Sequence, residues 1–259
     1  MSPKCAAIES DFDQVGALLQ RGRRVLFITG AGVSAESGIP TFRGAAAAFA
    51  NGLTEEGLAF EEVLSIETLQ RDPQLSWKYL FKLEESIRGR VPNAAHRAMA
   101  ALQSPGRDIF VATQNIDELH PRAGSRNVFE LHGNLRRIIC TGCDYAVRWE
   151  TFASLARLPR CPQCQSVLRP DVVLYGESLS PGVLGAFHQE QDRGFDAVFS
   201  VGTTSLFHYV IEPVLAAGRR GVPVIEINPD ITPVSGLANF RFAGPAGETL
   251  ARLAELPGC

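Results

Sequence analysis

The sequence predicts an α/β fold, a parallel sheet with helices on both faces, interrupted by a small cysteine-bearing module. Short apolar and β-branched runs recur along the 259 residues, each ending on a polar or glycine-rich segment. Stretches of helical length separate several of them. One run, 140–174, breaks that rhythm and holds two C-x-x-C pairs. Strands alternating with helices bury both faces of a sheet most simply when the strands run parallel. Hydrophobic residues at 45% and charged residues at 20% suffice for a core and argue against a disordered chain.

The first strand, Arg24–Thr29, runs into Gly30, Ala31, Gly32, Val33, Ser34 and Ala35, which fit G-x-G-x-x-G/A at a strand-to-helix turn. Small residues there let backbone N–H groups approach a pyrophosphate at the positive end of the next helix. Taken alone, the pattern fits a ligand-free tight turn equally well. The acid expected about 20 residues on, at the end of a second strand, is missing: Glu55 and Glu56 lie in loop-like sequence. Ile39, Pro40, Thr41, Phe42 and Arg43 instead form an apolar, aromatic segment with an arginine, suited to a flat ring and a phosphate or to a core-forming loop. Residues 44–66 read as a long connection of the kind that is often functional. A helix is expected within 68–88, where Leu69, Trp77, Leu80, Phe81 and Ile87 have a partly helical spacing.

The strand Asp108–Thr113 is followed by Gln114, Asn115, Ile116 and Asp117, and the strand-like run 128–131 by His132 and Gly133. Ligands of open parallel sheets sit beyond the carboxyl ends of the strands, so Asn115, Asp117 and His132 are expected to face the same crevice as residues 30–35. A histidine there can serve as general base near neutral pH. The amide and the carboxylate can bind a carboxamide or sugar hydroxyls. Singly, each has a plainer reading, His132 as a loop histidine and Asp117 as a helix N-cap; their shared placement is what favours a site. His96, His120, His188 and His208 carry no catalytic expectation.

Cys140, Cys143, Cys161 and Cys164 follow C-x2-C-x17-C-x2-C, the spacing of a tetrahedral zinc site. Four thiolates leave no open position, so one structural Zn2+ is expected; a redox dithiol or an iron–sulfur cluster are the lesser alternatives. Cys5 and Cys259 have no local partner and read as ordinary thiols. Ala197–Val201 and 222–227 complete the strands. Twenty-five basic against 28 acidic residues give a net charge of −3, so nothing points to nucleic acid or an anionic membrane. No apolar run of about 18 residues occurs, and the N-terminus carries no secretory pattern; a cytoplasmic protein is expected, with a monomer as the default state.

With these residues assembled, the chain resembles the sirtuin family from about Arg24 to about Leu250. The matching segments are GAGVSAESGIPTFRG (30–44), PNAAH (92–96), TQNID (113–117), ELHG (130–133), the four cysteines, RPDVVLYGE (169–177), VGTTS (201–205), EINPD (226–230) and GPAGETL (244–250). The resemblance implies a Rossmann-like NAD-binding domain (1–43, 91–135 and 170–259), a zinc-binding module (136–169) and a helical, cofactor-loop part of the small domain (44–90). It also implies an NAD-dependent protein lysine deacylase, with NAD+ as co-substrate and acyl-lysine proteins or peptides as partners. In that family the acyl oxygen attacks C1′ of the nicotinamide ribose, nicotinamide leaves, and a histidine activates a ribose hydroxyl to attack the resulting imidate. The products are free lysine, nicotinamide and 2′-O-acyl-ADP-ribose.

By the same resemblance His132 is the base, Asn115 orients the ribose or a water, and Asp117, Ile116 and Ile39 line the nicotinamide pocket. Gly30, Ala31, Gly32, Pro40, Phe42, Arg43 and Gln114 embrace the co-substrate, Gly202, Thr203 and Thr204 hold phosphate and ribose, Asn228 the adenosine ribose and Ala246 the adenine. Val172, Val173, Tyr175 and Gly176 pair with the substrate backbone. The GIPTFRG form resembles the subgroup that removes succinyl and malonyl groups with a Tyr/Arg pair three residues apart. Counting from Trp77, or back from Pro92, that pair falls on Leu80 and Leu83, which cannot pair with a carboxylate. Neutral acyl groups, acetyl or longer apolar chains, are therefore expected. A one-residue shift would offer Tyr79 and Lys82 instead. Leu174-Tyr175 and Phe207-His208-Tyr209 depart from the family pattern without a consequence readable from sequence. The rival readings are a mono-ADP-ribosyltransferase and a non-catalytic NAD-sensing module.

Overall fold

The structure, a computed structural model, describes residues 3–41 and 53–256; Phe42, Arg43 and Cys259 lie outside the described residues. Helix α1 (Pro3–Arg21) leads into β1 (Arg24–Thr29) and the short α2 (Ala31–Ala35). Helices α3 (Phe60–Val63), α4 (Ile66–Arg71), α5 (Pro73–Ile87) and α6 (Ala94–Ala101) precede β2 (Asp108–Thr113), and α7 (Leu119–Arg122) precedes β3 (Asn127–Glu130). Next come β4 (Gly133–Cys140), β5 (Ala146–Arg148) and β6 (Leu168–Val172). The chain closes with α8 (Pro181–Arg193), β7 (Ala197–Val201), α9 (His208–Arg219), β8 (Val224–Ile227), β9 (Phe240–Phe242) and α10 (Ala246–Glu255).

Six strands form one sheet in the order β3-β2-β1-β7-β8-β9, with every pairing parallel. Both faces are covered, which is why β1 is apolar at consecutive positions. Val25 and Phe27 pack toward Val15 and Leu19 of α1, Met99 of α6 and Leu250 of α10. Leu26 and Ile28 pack toward Phe187 of α8 and Val214 of α9. The chain winds from β1 outward to β3, then returns to the other side of β1 with β7. A ligand crevice is expected at the carboxyl ends of strands where the order reverses in this way.

The turns after β1 and β7 pack backbone on backbone at that point. Gly32 N–H donates to the Gly202 carbonyl at 2.8 Å. A Cβ on Gly32 would lie 2.8 Å from Gly202 Cα, and Gly202 itself has a φ of +57°, so only glycine fits at either place. The motif glycines thus have a use the pattern does not reveal, the close seating of two turns.

The helix expected within 68–88 is two helices. Asp72 caps α5, accepting from Leu75 N–H at 3.2 Å, and Pro73 opens it at the first position, where a missing N–H costs nothing. The second sheet, β5-β4-β6, is antiparallel and begins directly after His132. Trp77 of α5 is fully buried in one apolar cluster with Val63, Leu69, Ile138 and Phe152. Its indole N–H donates to the Leu168 carbonyl at 2.8 Å. Helices α3–α5 and the antiparallel sheet therefore share one core.

Candidate active site

A cavity of about 1210 Å³ lies between the carboxyl edge of the parallel sheet and the second core. The turn after β1 brings Gly30, Ala31 and Gly32 to its wall, followed by Ile39 and Pro40. The loop after β2 brings Gln114, Asn115, Ile116 and Asp117, and the end of β3 brings His132. Gly202, Thr203 and Thr204 enter after β7, Asn228 after β8 and Ala246 at the start of α10. From the second core come Leu80 and Leu83, and from the segment after β6 come Val172, Val173, Tyr175 and Gly176.

Hydrogen bonds lock these loops to one another. Asn115 donates through Nδ2 to the Gly30 carbonyl at 3.1 Å and to Ser34 Oγ at 3.0 Å. Ser34 Oγ–H donates to Asp117 Oδ2 at 2.6 Å, and Leu119 N–H donates to Asp117 Oδ1 at 2.9 Å. Gln114 Nε2 donates to Thr203 Oγ1, and Asn228 Nδ2 to the Thr203 carbonyl, each at 2.8 Å. Burial pushes the Asp117 carboxyl up, against these hydrogen bonds from Ser34 and Leu119. Asp117 thus joins the site and accepts from the first N–H of α7, while the N-cap position itself falls on Glu118. Ser34 was within the glycine motif, yet only the fold shows that it ties Asn115 to Asp117.

His132 stands at the end of β3. Burial holds its imidazole down to about 4, opposed by a hydrogen bond to the Gln114 backbone. The ring is neutral at physiological pH, so one of its nitrogens carries a proton and the other accepts; Nε2 is the one that faces α9. Its partner there is the Tyr209 hydroxyl, at 2.5 Å.

Leu80 and Leu83 meet Leu64 and Ile87 on one apolar wall. Tyr79 and Lys82 are committed elsewhere: the Tyr79 hydroxyl donates to Glu56 and the Lys82 ammonium to Glu55, each at 2.5 Å. Among the described residues, no lysine or arginine lines the cavity. On the strand-like segment 172–176, Val173 N–H donates to the His132 carbonyl, and the backbone of Tyr175 bonds both Leu64 and Ile66. The Arg169–Glu177 ion pair, with Leu174 N–H donating to Glu177, fixes the far end of that segment.

Beneath the site lies a buried pair. The His96 and His120 rings are 4.7 Å apart. His120 Nε2 is 3.0 Å from Thr29 Oγ1, and His96 Nδ1 is 2.9 Å from Asn93 Oδ1. Burial lowers His96 to about 4 and His120 well below its ordinary value. Between pH 6.5 and 4 the unfolded chain binds protons that the folded chain refuses, so stability contributed by these residues is lost as pH falls through that window. The shift at His96 corresponds to about 3 kcal/mol. Wild type is therefore expected to lose about that much more unfolding free energy than His96→Gln on going from pH 6.5 to 4, as read from urea titrations. Parallel pH profiles for the two proteins would contradict this.

The four cysteine sulfurs lie within 4.8 Å of one another. A tetrahedral zinc ion with Zn–S bonds of about 2.3 Å sets its sulfurs about 3.8 Å apart, and the Cys140–Cys164 and Cys143–Cys161 pairs are at 3.4 and 3.6 Å. Gly142 N–H points at Cys140 Sγ and Gln163 N–H at Cys161 Sγ, at 3.3 and 3.4 Å. The donor set fits a structural zinc ion with no open position. The cavity also fits a dinucleotide beside a second ligand, exceeding the ~300–1,000 Å³ of ordinary small-molecule pockets. On its wall the buried Thr41 Oγ1 has no hydrogen-bond partner among the described residues.

A glycine turn at the switch point of a parallel sheet, a neutral histidine facing it, and a four-cysteine module define a Rossmann-like α/β protein with a ligand cleft against a smaller metal-binding part. The chain belongs to the Sir2 family, whose model matches residues 30–208. It is 43% identical to NAD-dependent protein deacylase 2 of Pseudomonas aeruginosa, covering 90% of this chain and 91% of the relative. It is 40% identical to NAD-dependent protein deacylase 1 of Archaeoglobus fulgidus, covering 91% and 93%. Among solved structures, a Sir2 homologue in complex with NAD superposes with a TM-score of 0.84 at 37% identity, over 93% of this chain and 92% of that one. No described helix is long and apolar enough to cross a membrane.

Proposed function

We propose that this chain is an NAD-dependent protein lysine deacylase acting on neutral, apolar acyl groups. The observation that carries this reading is the placement of His132, held neutral by burial, in the same cavity as the glycine turn and the cross-bonded Asn115 and Asp117. When bound, NAD+ supplies a glycosidic bond whose cleavage drives the transfer of the acyl group. Asp117, Ile116 and Ile39 would hold the nicotinamide end, Thr203, Thr204 and Asn228 the phosphates and adenosine ribose. His132 is the base that is protonated when a ribose hydroxyl is activated, and its low basicity lets it release the proton again. The cysteine module supplies no catalytic group; it holds β4–β6 and with them one wall of the cleft.

The acyl preference follows from the wall. Leu64, Leu80, Leu83 and Ile87 offer apolar contact, while an acyl carboxylate there would be desolvated without a cationic partner. Acetyl- and myristoyl-lysine peptides are expected to react at least about tenfold faster than a succinyl-lysine peptide, since one unpaired charge costs more than about 1.4 kcal/mol. Initial rates with NAD+ and mass-spectrometric product identification check this. Faster desuccinylation would overturn the assignment of the leucine wall.

A further inference from the structure

The base does not present a bare lone pair to the cavity. Nε2 of the neutral His132 and the Tyr209 hydroxyl lie 2.5 Å apart, and in the tautomer that carries its proton on Nδ1 the ring accepts from the phenol. Tyr209 sits in the first turn of α9, and its ring stacks on Phe207 with centroids 5.4 Å apart and planes 9° from parallel. Both rings stand edge-on to the imidazole, at 5.8 and 6.1 Å, and both line the cavity. The three rings brace one another, so the phenol is held in place. Burial, helped by Tyr175, pushes the phenol up to about 12, so the hydroxyl stays a donor throughout the working pH range.

We propose that Tyr209 is the proton carrier through which His132 acts, its phenol lying between the ribose hydroxyl and Nε2. The inference rests on the deacylase reading above. The step balances without a further reagent. The phenol oxygen accepts the hydroxyl proton on a free lone pair while its own proton passes to Nε2. One sugar O–H bond breaks, one N–H bond forms, and the phenol O–H is broken and remade. Charge separates into an imidazolium and a sugar oxyanion, and Tyr209 ends unchanged. Direct contact between Nε2 and the sugar would instead require the phenol to break its hydrogen bond and leave the stack on Phe207.

Tyr209→Phe keeps the ring and removes only the hydroxyl. In the ligand-free protein, nitrogen-15 spectra of labelled histidine should show the His132 Nε2 resonance moving downfield in the variant as its hydrogen bond is lost. With NAD+ and an acetyl-lysine peptide, the ratio of peptide deacylation to nicotinamide exchange should fall by about 10- to 100-fold. Exchange reports the step before the base is needed, so a defect of folding or binding would lower both rates together. In mixtures of H2O and D2O the deacylation rate should curve with deuterium content in wild type, two protons moving at once, and vary linearly in the variant. An unchanged ratio, or equal loss of both activities, would overturn the proposal, and so would a linear dependence in the unaltered enzyme. Absence of exchange in wild type would instead reject the deacylase reading, while the nitrogen spectra would still report whether the phenol engages His132.

Discussion

Replacing His132 with alanine is expected to slow peptide deacylation and net nicotinamide release by about 10²- to 10⁴-fold, the usual worth of a positioned general base. The expectation rests on how the ring is held. The end of β3 carries it to the carboxyl edge of the sheet, where the Gln114 backbone hydrogen-bonds the ring. Burial keeps it neutral at physiological pH, so the whole population has the acceptor state a base requires. The side chain also contributes little to the main cores, so the variant should fold and its KM for NAD+ should change far less than kcat. Steady-state kinetics on an acetyl-lysine peptide separate the two constants. Undiminished net nicotinamide release would remove His132 from the role of base.

Loss of the metal should be nearly as damaging, although none of the four clustered cysteines reaches the cavity. Cys161→Ala is expected to lose bound zinc and to cost on the order of 5 kcal/mol, a melting temperature lower by roughly 10–20 °C for a chain of this size. Activity should fall with it, because the module is wired to the site. Arg148 of β5 grips Glu118 through two hydrogen bonds of 2.5 and 2.7 Å, and Glu118 directly follows Asp117. Burial opposes charge on Glu118, but Arg148, Asn134 and Arg136 outweigh it and hold the carboxyl below its ordinary range. Glu118 also has a φ of +61°, a conformation a non-glycine residue keeps only when its surroundings impose it. If β5 came loose, that residue would relax and take Asp117 with it. Metal analysis, thermal melting and deacylation rates on the same preparation test the chain of effects. A zinc-free variant with wild-type melting and turnover would break it.

The parts of the fold that show in the sequence are those where one physical requirement dominates. Arg24–Thr29, Asp108–Thr113 and Ala197–Val201 read as strands because a sheet buried on both faces needs uninterrupted apolar residues. The edge strand Phe240–Phe242 is three residues long and partly exposed, too short for a period to show. The antiparallel sheet is held as much by Trp77, which lies far away in the chain, as by its own residues. The break between α4 and α5 was within reach, since Asp72-Pro73 is a cap followed by a helix opener.

In the cleft, strand ends and glycine spacing point to Asn115, Asp117 and His132. The cysteine spacing points to a metal. The contacts among them are another matter. Ser34 bridging Asn115 and Asp117, and Tyr209 meeting His132, join loops 77 or more residues apart. No local pattern encodes which side chain of one loop meets which of another.

The central claim is that the cleft moves an acyl group from lysine onto the ribose of NAD+. Incubation with adenine-labelled NAD+ and an acetyl-lysine peptide, followed by separation and mass spectrometry, tests it most directly. The label is expected in O-acetyl-ADP-ribose, one per lysine uncovered, with free nicotinamide in equal amount. Label retained on the protein or peptide, with the acetyl group still in place, would contradict the account and identify an ADP-ribosyltransferase instead.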